Sequence, residues 1–400
     1  MTKIKIEKIG AKGDGVAILN GEPIFISKVL QGEIVELENG KLKKIIEPSP
    51  ERQQAFCQYY DSCGGCKFQH WQHEPYAAWK RAQLVAALRG HGIEADVVEP
   101  LIDAHGAGRR RVTLHVRQIG GQWQAGFMVA KSHDLIAIDA CPILVHQLHS
   151  AAVIAASFGS MLGACDVAIS AADNGLDVSV KAERQPANKN LNVIREIMER
   201  HKILRVSLNG EILAQLAVPS IVMGKAQIQI PINSFLQATA KGEAQIAMLI
   251  AEPLKKAKSI LDLFCGVGPF AFRLAEQAKI HAIDSDKPAI AALLQATRFI
   301  QGVKPITAEA RDLYDNPLVP EELNNYDSVV LDPPRAGAEA QARNLAKSKV
   351  KRIISVACDV QTFARDAAIL IGGGYKIGKV TPVDQFKFSA HVEIVASFTR

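Results

Sequence analysis

Apolar and polar residues change rhythm twice along these 400 residues. Over residues 1–46 they alternate in short runs, "KIKIEKIG", "GVAILNG", "EPIFISKVL" and "GEIVELENGKLKKII", separated by glycine turns. That period of two predicts a small barrel of about five strands. "EPSPERQQAF", with two prolines and mixed charge, reads as a linker. "EPYAAWKRAQLVAALRGHGI" then brings Trp79, Leu84, Leu88 and the alanines onto one helical face, with Gly90 as the stop. Strands dominate from 109 to about 230, with a hairpin turning at Gly120-Gly121 and one helix around "ANKNLNVIREIMERHKI".

After "QIPINSFLQ" the pattern becomes strand, helix, strand, helix: "SILDLFCG", "PFAFRLAEQA", "IHAIDSD", "PAIAALLQATRFIQG". "YDSVVLDPP", "KRIISVACD", "TFARDAAILIGGG" and a closing strand "HVEIVASFTR" follow. Such alternation predicts an α/β fold, a parallel sheet covered on both faces. Three units are expected: 1–47, a β-barrel; 48–230, β-rich, with helix 74–90 packing on the last unit; and 231–400, Rossmann-like.

Composition narrows the class. With 48% hydrophobic and 22% charged residues, no membrane-length apolar run and no apolar leader in "MTKIKIEKIGAKGDG", a soluble cytoplasmic protein is expected. The formal charge of +6 fits a polyanionic partner touched over a limited patch. Seven cysteines, an odd number unevenly spread, argue for metal binding or catalysis over a disulfide framework.

The candidate chemistry lies at strand ends. "LDLFCGVGPF" offers a strand containing Asp262, a tight Gly266-x-Gly268 turn and a helix start; Phe270 and Ala271 stand where a dinucleotide fingerprint has its third glycine. Asp284, eighteen residues after Gly266, suits a ribose diol. Together these favour S-adenosylmethionine. In "VVLDPPRAG" two prolines end a strand and fix Asp332 at the rim of the same cleft. Cys358 of "ISVACDVQTFARD" ends the next strand, where a helix N-terminus could depress its pKa; Cys265, inside the cofactor turn, is the competitor. "CQYYDSCGGC" sets Cys57, Cys63 and Cys66 in one loop, and with Cys141 the four thiolates suit zinc or a [4Fe–4S] cluster. His70 and His73 are alternative zinc ligands. "GRRR", Arg109 to Arg111, could clamp phosphates.

These motifs, in this order, resemble the RNA 5-methyluridine (uracil-C5) methyltransferase family, in its iron–sulfur branch. The resemblance covers nearly the whole chain: the N-terminal strands are similar to a TRAM module, the cysteine loop and "GFMVAKSHDLIAIDACPIL" to the cluster site, and "SFLQ", "DLFCGVG", "DPPRAG", "CDVQTFARD" and "HVE" to the catalytic segments. It implies a class I S-adenosylmethionine-dependent fold in which Cys358 is the nucleophile and Glu393 the base. It further implies cofactor contacts from Gln237, Phe264, Gly266, Asp284, Asp312 and Asp332, and a [4Fe–4S] cluster on Cys57, Cys63, Cys66 and Cys141. Where family members commonly carry Asn or Thr, this chain has Pro269; Ala357, Val360, Lys387 and Ser389 are further departures. The cluster loop, by that resemblance, implies 23S ribosomal RNA as substrate, with transfer RNA the alternative; a monomer is expected. A methyltransferase of exocyclic amines, which needs no nucleophile, and an RNA chaperone without catalysis are the rival readings.

Overall fold

In the chain's C-terminal half the strand–helix alternation builds an eight-stranded sheet. The computed structural model describes residues 2–129, 132–187 and 190–400. Residues 130 and 131, within the segment expected to deliver Cys141, and 188 and 189, in the helix expected around "ANKNLNVIREIMERHKI", lie outside the described residues.

From one edge the sheet runs Ile306–Ala310, Lys279–Asp284, Ser259–Leu263, Ser328–Leu331, Arg352–Ala357, Glu393–Thr399, Lys376–Asp384 and Ile102–Asp103. The first five strands are parallel. Glu393–Thr399 is antiparallel to both neighbours, so the sheet is mixed, not wholly parallel as the alternation predicts. Lys376–Asp384 and the two-residue Ile102–Asp103 are not read from the sequence; "KIGKVTPVD" carries two lysines, a glycine and a proline that blur its pattern. Ser259–Leu263 lies between the strands that follow it on either side, which opens a crevice at its carboxyl end.

Successive residues of each strand feed opposite cores. Ile260, Val330 and Ile354 pack with Ile246 and Ile250 of helix Ala240–Ala251 and Leu293 of helix Lys287–Thr297. Leu261, Leu331 and Ile353 pack with Leu84 and Leu88 of helix His73–Gly90 and Phe363 of helix Val360–Gly372. Each such side chain contributes about 1.5–3 kcal/mol by leaving water. The expected helix after the glycine turn shrinks to Ala271–Leu274, because both Gln277 and Ala278 N–H return to the Leu274 carbonyl and the next strand starts at Lys279.

Between these parts stands a seven-stranded sheet, Leu135–Ala137, Gln122–Met128, Arg111–Ile119, Cys165–Ala172, Gly175–Ala182, Ile203–Leu208 and Glu211–Gln215 in order. The predicted hairpin turns at Gly120-Gly121. Two helices, not one, accompany it: Asn190–His201 and Ala151–Leu162. The second, "AAVIAASFGSML", escapes sequence patterning because it has no polar stripe to reveal its period. Residues 2–47 form six strands in two three-stranded antiparallel sheets around Ile6, Ala17, Ile26 and Val35, where about five strands in one barrel are expected. Among the described residues, no helix is long and apolar enough to cross a membrane.

Candidate active site

The turn after Ser259–Leu263 is tightly wound. Phe264 adopts φ +61°, Gly266 φ +52° and Gly268 φ +88°. A side chain at Gly268 would also stand 2.8 Å from Leu293 Cδ1, so this glycine is required twice over. Nothing lies within 4 Å of where a Cβ on Gly266 would be, which leaves that side of the turn open to a ligand. The Asp284 carboxylate ends the next strand and accepts from Gly266 N at 2.8 Å and Asp286 N at 2.8 Å, tying the two strand ends together. Phe264 stacks obliquely on Tyr314, ring centroids 5.5 Å apart. Asp312 is exposed two residues past Ile306–Ala310 and accepts from Tyr314 N at 2.9 Å, which sets that tyrosine beside Phe264.

Beneath the turn is an acidic cluster. Asp262 is fully buried, neither carboxylate oxygen has a hydrogen-bond partner, and burial beside Asp284 pushes its pKa up to about 7. Asp332 keeps part of its surface open to the cleft, yet burial, with Glu393, Asp262 and Asp284 nearby, holds its carboxyl well above the ordinary range. The unpartnered Asp262 carboxyl, the raised Asp332, an open glycine turn and two aromatic rings form a cradle that fits S-adenosylmethionine, which carries cationic and hydroxyl groups.

Asp332, Cys358 and Glu393 come together at the ends of adjacent strands. Glu393, 5% exposed, opens its strand, and burial raises its pKa to about 7, opposed by Gln385 and Arg335. A chain of amides joins it to the cofactor side. Gln385 Nε2 donates to Glu393 Oε1 at 3.1 Å and to Gln237 Oε1 at 2.7 Å, and Gln237 Nε2 faces Asp332 Oδ2 at 3.5 Å.

Two expectations are corrected here. The Cys358 thiol is not acidified: burial, then the Glu393 and Asp332 carboxyls, pushes its pKa up to about 11. The helix N-terminus beside it is occupied by Asp359, which accepts from Gln361 N and Thr362 N at 3.0 Å each. Cys265 is sealed in the turn at 4% exposure. Nor is "GRRR" a free phosphate clamp. Arg110, 7% exposed, is ion-paired with Glu243 and donates to the Gln237 carbonyl at 2.8 Å. Glu243 also binds Arg273 at 2.8 Å, and Arg273 in turn donates to the Pro269 carbonyl of the cofactor turn. Arg111 lies over the Phe235 ring at 5.6 Å. Sequence reasoning missed Gln385 and Glu243 and read Arg110 only as a candidate phosphate ligand; Gln385 gave no signal because the strand before it, Lys376–Asp384, was itself not legible.

Cys57, Cys63, Cys66 and Cys141 all line one cavity of about 170 Å³, walled on one side by Arg109 and Ile143. Burial, with the neighbouring sulfurs, raises Cys141 to about 12 and Cys63 and Cys66 above the ordinary thiol value. Among the described residues no three His, Cys, Asp or Glu side chains form a ready metal-binding group. His70 is turned to the Tyr60 hydroxyl and His73 begins a helix, so neither lines this cavity.

The family model described as tRNA (uracil-5-)-methyltransferase matches residues 178–400. An RNA methyltransferase of Brucella suis is 41% identical over 100% of this chain and 98% of its own. The 23S rRNA (uracil(1939)-C(5))-methyltransferase of Vibrio vulnificus is 28% identical over 100% and 96%. In fold, the chain is similar over 100% of both chains, at a TM-score of 0.76 and 21% identity, to the Pyrococcus abyssi tRNA (uracil-54, C5)-methyltransferase crystallised with S-adenosyl-L-homocysteine. With the matched segment holding the glycine turn and the Asp332, Cys358 and Glu393 strand ends, the chain belongs to the family of S-adenosylmethionine-dependent RNA uracil-C5 methyltransferases.

Proposed function

We propose that this enzyme methylates a uridine of 23S ribosomal RNA through a transient bond between Cys358 and carbon-6 of the base. The observation that carries the reading is the meeting of Cys358 with Glu393 and Asp332, each close enough to perturb the thiol, at the mouth of the cofactor turn. Carbon-5 of uracil is a weak nucleophile. Addition of the Cys358 sulfur at carbon-6 converts the ring into an enolate whose carbon-5 carries the electron pair. Gln237, Phe264, Gly266, Asp284, Asp312 and Asp332 would hold S-adenosylmethionine, which would supply an electrophilic methyl group to carbon-5. Glu393 then takes the carbon-5 proton, the carbon–carbon double bond re-forms and the thiolate leaves. The uridine must be unpaired or flipped out to reach Cys358.

The resting thiol is protonated, so binding must lower its pKa or pass its proton to a neighbour. Glu393, with a pKa near neutrality, and Asp332, also raised, are the groups beside it. Trapping tests the adduct: RNA containing 5-fluorouridine lacks the carbon-5 proton, so wild-type enzyme should run as a covalent RNA complex on a denaturing gel. Cys358→Ala should form none. An enzyme that methylates an exocyclic amine would give no adduct in either case.

For the cysteine loop we propose a [4Fe–4S] cluster on Cys57, Cys63, Cys66 and Cys141. Four thiols lining one cavity are a donor set that suits zinc or such a cluster, and the resemblance of the cysteine loop to the family's cluster site favours the cluster. The role assigned is structural or RNA-positioning. We take 1–47 as a TRAM-like RNA-binding unit, 48–230 as the cluster-bearing unit and 231–400 as the methyltransferase unit of a cytoplasmic monomer. The ribosomal target is favoured by the cluster loop and by the activity named for the Vibrio vulnificus relative. Mapping 5-methyluridine in RNA from cells with and without the gene decides it; loss from transfer RNA alone would overturn the assignment.

A further inference from the structure

Gln385 occupies a position that the proposed chemistry does not yet use. It follows strand Lys376–Asp384 directly, is 0% exposed, and lies between the proposed base and a proposed cofactor ligand. Its side-chain groups are all engaged. The two Nε2 protons go to Glu393 Oε1 and Gln237 Oε1, while its Oε1 faces Thr239 N at 3.4 Å. With Glu393 ionised, the opposite amide orientation would leave three acceptors facing one another without a proton and would turn Nε2 against Thr239 N. In that state the orientation described satisfies the group.

Two consequences follow from that orientation. Because Gln237 Oε1 is taken, its NH₂ is turned toward Asp332 Oδ2. Because Glu393 Oε1 is taken, Oε2 is the oxygen left to receive a proton; it has no hydrogen-bond partner among the described residues. We propose that Gln385 is a positioning residue for methyl transfer, holding Glu393 so that Oε2 accepts the carbon-5 proton and turning the Gln237 amide toward Asp332. This rests on the function proposed above.

The backbone anchors Gln385 firmly. Its neighbour Asp384 points the other way into a fully buried pair with Lys80 at 2.7 Å, closed by the Tyr76 hydroxyl at 2.8 Å. Lys80 also donates to the His391 carbonyl at 2.6 Å, so both ends of the loop between Gln385 and Glu393 hang on one ammonium. The other groups acting on Glu393 are fixed by different elements: Arg335 after strand Ser328–Leu331, which meets His391 at 3.4 Å, Asp332 on the same turn, and Cys358 after strand Arg352–Ala357.

The test is the pH dependence of tritium release from carbon-5 of uridine in RNA, under saturating cofactor and RNA. Gln385→Met keeps the volume and removes both donors. Its acid limb should move upward by about one pH unit, since an ionised Glu393 loses its hydrogen bond. Gln385→Glu places a second carboxyl against Glu393 and should move the limb further the same way. A residue that only fills space would lower the melting temperature of both variants and leave the limb unmoved. A Gln385→Met limb coincident with wild type, in a protein that still traps 5-fluorouridine RNA, overturns the inference alone. Were Glu393→Gln to release tritium at the wild-type rate, the underlying function would fail instead.

Discussion

At the scale of single residues, the site is a set of acids held above their ordinary pKa values, and the sign of each shift makes a prediction. Asp262 and Glu393 both rise to about 7 because the fold buries them. A raised carboxyl is neutral in the native state over the range where the unfolded chain ionises it. Stability from the neutral form is therefore complete below about pH 4 and lost as pH climbs through about 7. Asp262→Asn removes the titration, so its stability relative to wild type should improve between those limits, by about 4 kcal/mol at most. Urea unfolding of both proteins at pH 4 and pH 8 measures it; a difference that does not change with pH would refute the buried acid. Glu393→Gln should cut turnover by about 100-fold or more. It should also leave the Cys358 adduct on natural RNA long-lived enough to see on a denaturing gel, because methyl addition proceeds and proton removal does not. Asp332 and the Asp284–Gly266 turn could be foreseen because glycine and proline announce strand ends. The pKa of Cys358 could not, since it depends on burial and then on carboxyls contributed by two other strands.

Among the elements, buried ion pairs do the joining. Glu243, on helix Ala240–Ala251, holds Arg110 from the seven-stranded sheet's entry and Arg273 beside the cofactor turn, and Arg110 also grips the Gln237 carbonyl. A run of three arginines reads in sequence as a solvated or phosphate-facing patch, because nothing local signals a partner 133 residues away. Arg110→Met leaves Glu243 buried with one cation, and should cost about 3 kcal/mol. The affinity for S-adenosylhomocysteine should fall with it, as Gln237 and Pro269 lose their common tether; calorimetry reads the affinity and urea unfolding the stability. Retained affinity in a destabilised protein would show that the triad supports the fold without placing the cofactor turn. Helices Lys287–Thr297 and Val360–Gly372 and four of the parallel strands were legible because amphipathic faces and apolar runs differ in period, whereas Ala240–Ala251 and Glu339–Lys347 were not read. Nor were Ala151–Leu162 and Lys376–Asp384, the one uniformly apolar and the other interrupted by polar and turn residues.

Across the whole molecule, the cysteine loop and the proposed base are parts of one packed unit, although more than 300 residues separate them in sequence. Lys67 N donates to the Phe388 carbonyl at 2.7 Å, and Phe56 packs on the Phe388 ring at 5.4 Å. Phe388 N donates in turn to the Tyr76 hydroxyl at 3.0 Å, and Phe388 itself holds φ +65°. Local melting of the loop around Cys66 would therefore remove the Lys67 and Phe56 contacts to the segment that leads into Glu393, leaving it held by Lys80 and Tyr76. The cofactor turn is attached elsewhere, through Asp284, Glu243 and Arg273. Cys66→Ser should abolish the broad visible absorption and acid-labile sulfide expected of the proposed cluster. It should lower the rate of methyl transfer by about 10-fold or more if Glu393 loses its placement. S-adenosylhomocysteine binding should stay within about 3-fold of wild type, because the proposed cofactor contacts lie outside the affected segment. Equal losses of cofactor binding and turnover would mean that the loop supports the whole fold. An unchanged turnover in protein shown to lack iron would break the link between the loop and the base.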